Sequence, residues 1–316
     1  MVVNIAAKKA AGKSRSKMQA LLHDWRLYLM VLVPIVYYIV FCYKPMYGLV
    51  IAFQKYNLFK GVAGSKWVGW DNFEFVFSMR DFPIALGNTL ILNFLDLLFG
   101  FPVPIVLAIM LNEMRMVRVK KIFQTVLYLP HFLSWVIIGG MVLVIFAPTT
   151  GIINATLLKL GWINKNIPFL TEGGWWRFTY VIVGIWQSMG WGTIMYLAAI
   201  TNLNQDLFEA ARIDGANKLQ QIWHVTLPGI RSTIIVLLIM NIGRMMSIGF
   251  DRPFIIGNTL VQDTCDVIST FVYRAGITNG QFARATAIGL FQSVVGLVLI
   301  SIANASARLF DEKGLW

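Results

Sequence analysis

The chain has 316 residues, carries a formal net charge of +12, and is 57% hydrophobic but only 13% charged. A soluble domain averages about 25% charged residues, so a globule with a charged shell is excluded. In a soluble protein the basic excess would suggest nucleic acid. Here it must be judged against apolar blocks long enough for a bilayer, which takes about 20 residues per helix.

Residues 1–26 form a polar arm with Lys8, Lys9, Lys13, Arg15, Lys17 and Arg26, suited to a lipid surface. Within it, Gly12-Lys13-Ser14 matches the end of a phosphate-binding loop, but Ala7 stands where that loop needs glycine. The first apolar block, 27–43, has no small-residue cleavage site after it and is expected to be a retained span. Five more blocks follow, at 84–111, 122–147, 178–200, 232–250 and 285–307. Their internal Pro and Gly are tolerable in membrane helices, and continuous blocks argue against a barrel, which needs alternation. The expected fold is all-α and integral to the membrane, with six transmembrane helices in one domain over 27–308 and a tail over 309–316.

Basic residues favour the cytoplasmic side. The arm and the link bearing Arg115, Arg118, Lys120 and Lys121 share a side if the N-terminus is cytoplasmic. The C-terminus and the polar insert at 201–231 then lie there too. Three segments fall outside: 44–83, aromatic-rich with Trp67 and Trp70; 148–177, ending in Trp175-Trp176; and 251–284, with a short helix near 267–273. Cys42 and Cys265 also fall outside. They are expected to be small buried apolar residues, since distance in sequence says nothing for a disulfide.

Polar residues inside spans are costly and carry function. Thr89, Asn93, Asp96 and Gly100 share one helical stripe, and Asn241, Arg244 and Ser247 share another. Gln187 and Ser188 sit beside Trp186 and Trp191, and His131 lies mid-block. Asn93, Asp96, His131, Gln187, Asn241 and Arg244 are the candidate lining of a polar translocation path, with helix-to-helix bonding the favoured alternative for Asn93, Gln187 and His131 and the path favoured for Arg244. Two alternatives stay open for Asp96: lining that path, or pairing with Arg244. His23, His131 and His224 lack metal-ligand spacing, and no nucleophile has the context of a triad. No catalytic residue, metal or cofactor is assigned to this chain.

The 201–231 insert has its own local logic. Asn204 is a good N-cap with Asp206 in the first turn. Leu207, Phe208, Ala211 and Ile213 give an apolar face, Gly215 suits a left-handed helix end, and residues 218–225 form a second short helix. Pro228 fits the start of the next helix.

Glu209-Ala210-Ala211 with Asp214-Gly215, and then Leu227-Pro228 at fixed spacing, resembles the EAA loop of permease subunits from ATP-binding-cassette importers. Other segments resemble the carbohydrate-uptake branch, near polysaccharide and alginate permeases. They are Tyr43-Lys44-Pro45-Met46-Tyr47-Gly48, Trp67-Val68-Gly69, Leu129-Pro130-His131-Phe132-Leu133-Ser134-Trp135 and Glu312-Lys313-Gly314-Leu315-Trp316. The resemblance implies a bacterial cytoplasmic-membrane protein. It pairs with a second homologous permease, two ATPase subunits that bind ATP and Mg, and an extracytoplasmic solute-binding protein. Glu209 and Gly215 are implied to dock the ATPase. Asp96 and Arg244 are charged where small or amide residues are expected, which favours an acidic, uronate-containing cargo over a neutral oligosaccharide. A secondary transporter or channel is the competing class, and its usual internal repeats are not evident.

Overall fold

The structure, a computed structural model, describes residues 25–309, with side chains described to residue 306. The arm up to residue 24, with Gly12-Lys13-Ser14 and His23, lies outside the described residues, as does the segment 310–316. The chain divides into a first unit ending at Val50 and a second beginning at Ile51.

Among the described residues, four helical runs are long and apolar enough to cross a membrane: Trp25–Phe53, Asp81–Glu113, Gly173–Thr201 and Phe282–Ser306. Two further runs are bent pairs, Val117–Phe132 with Trp135–Phe146 at 102° and Lys218–Gly229 with Arg231–Gly243 at 60°. The expected spans at 122–147 and 232–250 are therefore not single straight helices.

The causes are local. Pro130 sits in a tight 3₁₀ turn over Leu129–Phe132, Leu133 is extended, and Ser134 restarts the helix by accepting a hydrogen bond from the Ile137 N–H at 3.4 Å. The Arg231–Gly243 helix stops because the Arg244 and Met245 N–H groups bond back three residues, to Asn241 and Ile242, at 3.0 Å each. Residues 246–250 are then irregular up to the short helix Asp251–Ile256. Thirteen residues make a helix of about 20 Å, shorter than a bilayer core of about 30 Å.

The Asp81–Glu113 run passes its prolines without breaking. Pro102 has no N–H to donate, and the preceding turn widens into a π turn, Asp96–Gly100, closed by the Phe101 N–H on the Asp96 carbonyl at 3.1 Å. Such single wide turns occur often at functional sites.

The Gly173–Thr201 helix is central to the second unit. Its Trp176, Tyr180 and Val183 are buried in one cluster with Leu92, Ile138 and Val142, while Tyr196 and Ile200 join a second cluster with Ala108 and Leu111. In the first unit the side chains from Trp25 to Phe41 are exposed throughout, as suits a helix facing acyl chains.

Outside the long helices, Gln54–Lys55 and Lys66–Trp67 make a two-stranded antiparallel pair under a packed cluster of Phe53, Trp67, Trp70 and Phe73. Asn154, 1% exposed, fastens the 148–177 segment. Its amide donates to the Pro148 and Ile167 carbonyls at 3.0 and 2.9 Å, and its oxygen accepts from the Ile167 N–H at 2.9 Å. The helix expected near 267–273 is Ile268–Tyr273. Both cysteines are free thiols. Cys265 is buried as expected and Cys42, against expectation, is exposed. Burial pushes the Cys265 thiol pKa up, which keeps it protonated and unreactive.

Candidate functional site

A cavity of about 520 Å³ opens between the Asp81–Glu113 and Gly173–Thr201 runs and the end of Arg231–Gly243. Four of the expected pathway residues line it: Asn93, Asp96, Asn241 and Arg244. Ser188, Trp191, Tyr196, Ser247 and Arg252 share the wall. Gln187 and His131 do not line it. His131 instead stacks on Trp191, with ring centroids 4.7 Å apart and planes 10° apart, and its buried Nδ1 has no hydrogen-bond partner. His131 thus backs a cavity residue from behind.

Asn93 bonds beyond its own helix, though to a non-helical segment rather than to the second helix expected. Its amide donates to the Thr89 carbonyl at 3.0 Å and to the Met245 carbonyl at 2.7 Å, tying the irregular 244–250 stretch to the Asp81–Glu113 run. Among the described residues the Asn241 side chain bonds within its own helix, donating to the Leu237 carbonyl at 2.8 Å. Arg244 and Ser247 reach the cavity from the irregular stretch rather than from a helical stripe, so that part of the expectation is corrected.

Asp96 is paired, but not with Arg244. Arg252 holds it in a fork, Nη1 to Oδ2 at 2.8 Å and Nη2 to Oδ1 at 3.1 Å. The Nη2 group also donates to the Tyr180 carbonyl, and the guanidinium carbon lies 3.5 Å from the centre of the Tyr180 ring. Gly184 leaves the space for this: a methyl group there would overlap the guanidinium. Two parallel charge-assisted bonds and an aromatic face are what arginine offers over lysine. Arg244 is exposed, and among the described residues its guanidinium has no hydrogen-bond or ion-pair partner. Sequence reasoning missed Arg252, Tyr180 and Gly184. The one available signal was the charged dipeptide Asp251-Arg252 just after an apolar block.

The 201–231 segment has the expected local chemistry. Asn204 caps the helix Gln205–Ile213, accepting from the Asp206 N–H at 3.0 Å. Gly215 has φ +81°, a conformation open to glycine but strained for other residues. Asn217 and Gln220 then form a reciprocal capping box for the helix that begins at Lys218. Leu227-Pro228 begins the last turn of the Lys218–Gly229 run, and the next helix starts only at Arg231, so Pro228 closes one helix rather than opening the next as expected. Glu209, Ala210, Asp214, Gly215 and Pro228 are exposed, while Ala211 and Leu227 are half-buried. The expected apolar face is split. Phe208 alone is buried, at 8%, and Ile213, Leu219 and Trp223 are 86%, 77% and 69% exposed. Glu209 and these apolar side chains are thus exposed in the same segment.

Residues 100–313 match the family described as binding-protein-dependent transport system inner membrane component. Protein LplB of Bacillus subtilis (strain 168) is 45% identical over 306 residues, covering 97% of this chain and 96% of that one. The polygalacturonan/rhamnogalacturonan transport system permease protein YteP of the same organism is 44% identical over 290 residues, covering 92% and 90%. Two solved structures superimpose closely. A bacterial ABC transporter involved in the import of the acidic polysaccharide alginate gives a TM-score of 0.84 at 40% identity, covering 92% of this chain and 98% of that chain. A bacterial alginate ABC transporter in complex with alginate pentasaccharide-bound periplasmic protein gives 0.85 at 39%, covering 95% and 100%. With its broken helices, polar cavity and capped insert, the chain belongs to the family of inner membrane components of binding-protein-dependent transport systems.

Proposed function

We propose that this chain is one half of the translocation pathway of an importer for acidic, uronate-containing oligo- or polysaccharides. The carrying observation is the Arg244 guanidinium on the cavity wall, which has no partner among the described residues. That wall holds two guanidiniums, Arg244 and Arg252, against one carboxylate, Asp96. Arginine stays charged at any relevant pH and grips carboxylates in a fork. The names of similar proteins support the reading, since YteP is a polygalacturonan/rhamnogalacturonan permease and the superimposable structures are of alginate importers. Trp191 and Tyr196 add aromatic faces for sugar rings.

In this reading each bent pair counts as one span, giving six, with both termini and the 201–231 segment in the cytoplasm of a bacterium. A second homologous permease completes the pathway. Two separate ATPase subunits bind ATP and Mg and dock on Glu209, Ala210, Ala211, Asp214, Gly215, Leu227 and Pro228, and a solute-binding protein delivers the cargo from outside. The chain itself is non-catalytic.

The test is uptake by Arg244→Gln in the assembled transporter, with an oligouronate and its carboxyl-reduced neutral analogue as cargo. Selective loss of the oligouronate, by about tenfold or more as expected for a lost charged hydrogen bond, supports the reading. Equal uptake of both by the variant and the unaltered protein overturns the acidic cargo and leaves a neutral oligosaccharide.

A further inference from the structure

The Asp96–Arg252 pair stands between two cavities. The 520 Å³ cavity lies on one side, and a second cavity of about 240 Å³, lined also by Trp135, Tyr180, Ile248, Gly249 and Asp251, lies on the other. Four residues belong to both walls: Asn93, Asp96, Ser247 and Arg252. The pair and the Asn93–Met245 bond therefore form the septum between them. The charges on its two sides differ. The larger cavity is lined by Asp96, Arg244 and Arg252, one positive charge in excess, and the smaller by Asp96, Asp251 and Arg252, one negative charge in excess.

We propose that this septum is the gate of the translocation path, and that a carboxylate on the cargo takes the place of Asp96 on Arg252 as it opens. The proposal rests on the pathway reading above. Both partners sit where regular α-helix is interrupted or has just begun. Asp96 starts the π turn of its helix, and Arg252 follows the irregular stretch 246–250. The pair is not sealed as a core pair would be, because the Asp96 side chain is 31% exposed. Separating the pair leaves Asp96 without its partner and Arg252 with only the Tyr180 carbonyl and ring, which is unfavourable for a partly buried ion pair. A neutral cargo cannot relieve that. An anionic cargo supplies a carboxylate to Arg252, while Asp96 shares its cavity with Arg244 and can turn to it. Every charge is then matched during passage, and the septum discriminates by charge without a dedicated binding pocket.

The test uses the complete transporter in proteoliposomes, with cysteines at 96 and 252 in a Cys42→Ala, Cys265→Ala background. Removing both charges together spares the protein an unpaired ion. Bridging the two thiols with a short reducible bifunctional reagent should stop uptake of whichever cargo the transporter carries, by at least about tenfold, and reductant should restore it. Undiminished uptake with the bridge closed overturns the gate. This arm holds for acidic or neutral cargo, so it stands apart from the substrate assignment. The exchange is tested by Arg252→Gln and by the double variant Asp96→Asn, Arg252→Gln, both checked for assembly with the partner subunits. Both should lose preference for an oligouronate over its carboxyl-reduced analogue. A preference kept in the assembled double variant overturns the exchange.

Discussion

Gly184 lies directly against the Arg252 guanidinium, and its missing side chain is the space that the cation occupies. The Gly173–Thr201 helix thereby seats an arginine from a segment far along the chain. Gly184→Ala should push the guanidinium off the Asp96 fork. Overpacking of this kind costs about 1–3 kcal/mol, so a lower unfolding temperature together with reduced uptake is expected. A Gly184→Ala protein with unchanged stability and uptake would show that Arg252 has room to spare.

Gly215 turns the chain at φ +81°. A β-branched residue there is strained by about 1–2 kcal/mol and cannot keep the turn that joins the two short helices. Gly215→Val should leave the membrane helices folded but reduce the uptake obtained per ATP hydrolysed by the assembled complex. Normal coupling in this variant, with the ATPase still bound, would contradict the role given to the turn.

Asn154 satisfies three backbone groups from a site that is 1% exposed. Asn154→Leu leaves those groups buried without partners, at about 1–3 kcal/mol each. The unfolding temperature should fall by about 5 °C or more, while a drop under a degree would mean that water reaches the site.

Orientation is open to direct chemical labelling. Single cysteines near Gly61 and Thr278 should react with an impermeant thiol reagent in intact cells. Those near Arg118 and Lys218 should react only after the membrane is opened. Reaction at 218 in intact cells would invert the arrangement.

Features set by neighbouring residues were legible in the sequence. The Asn204 cap, the Gly215 turn and the helix at Ile268–Tyr273 all follow from residues within one or two turns of each other. So did the polar stripe through Asn93 and Asp96, because helical spacing fixes which residues share a face. What the residues left open was decided by long-range contacts. The partner of Asp96 lies 156 residues away, and nothing near Asp96 distinguishes Arg252 from Arg244. The end of the helix at Gly243 was hidden for a different reason. Residues 244–250 remain mostly apolar and contain no proline, so hydropathy runs on after the helix has stopped. At Pro130 a breaker was visible, but a proline inside a membrane helix is compatible with either a kink or a full turn, and only tertiary packing chooses 102°.

The turn at residues 214–217 leaves no slack. The Asp214, Gly215 and Ala216 N–H groups bond back into the preceding helix, the Asn217 N–H donates to the Gln220 side chain, and the Gln221 amide donates to the Ala216 carbonyl. A corner hydrogen-bonded on both faces is stiffer than an open loop and is suited to act as a crank rather than a hinge. It also touches a neighbouring helix end, where Lys218 Nζ meets Glu113 Oε2 at 2.5 Å in an exposed ion pair. Glu113 ends the same helical run that carries Asp96, seventeen residues or about 25 Å along the axis. In the proposed reading, a push by the ATPase on Gln205–Ile213 would reach the foot of the helical run whose π turn bears Asp96.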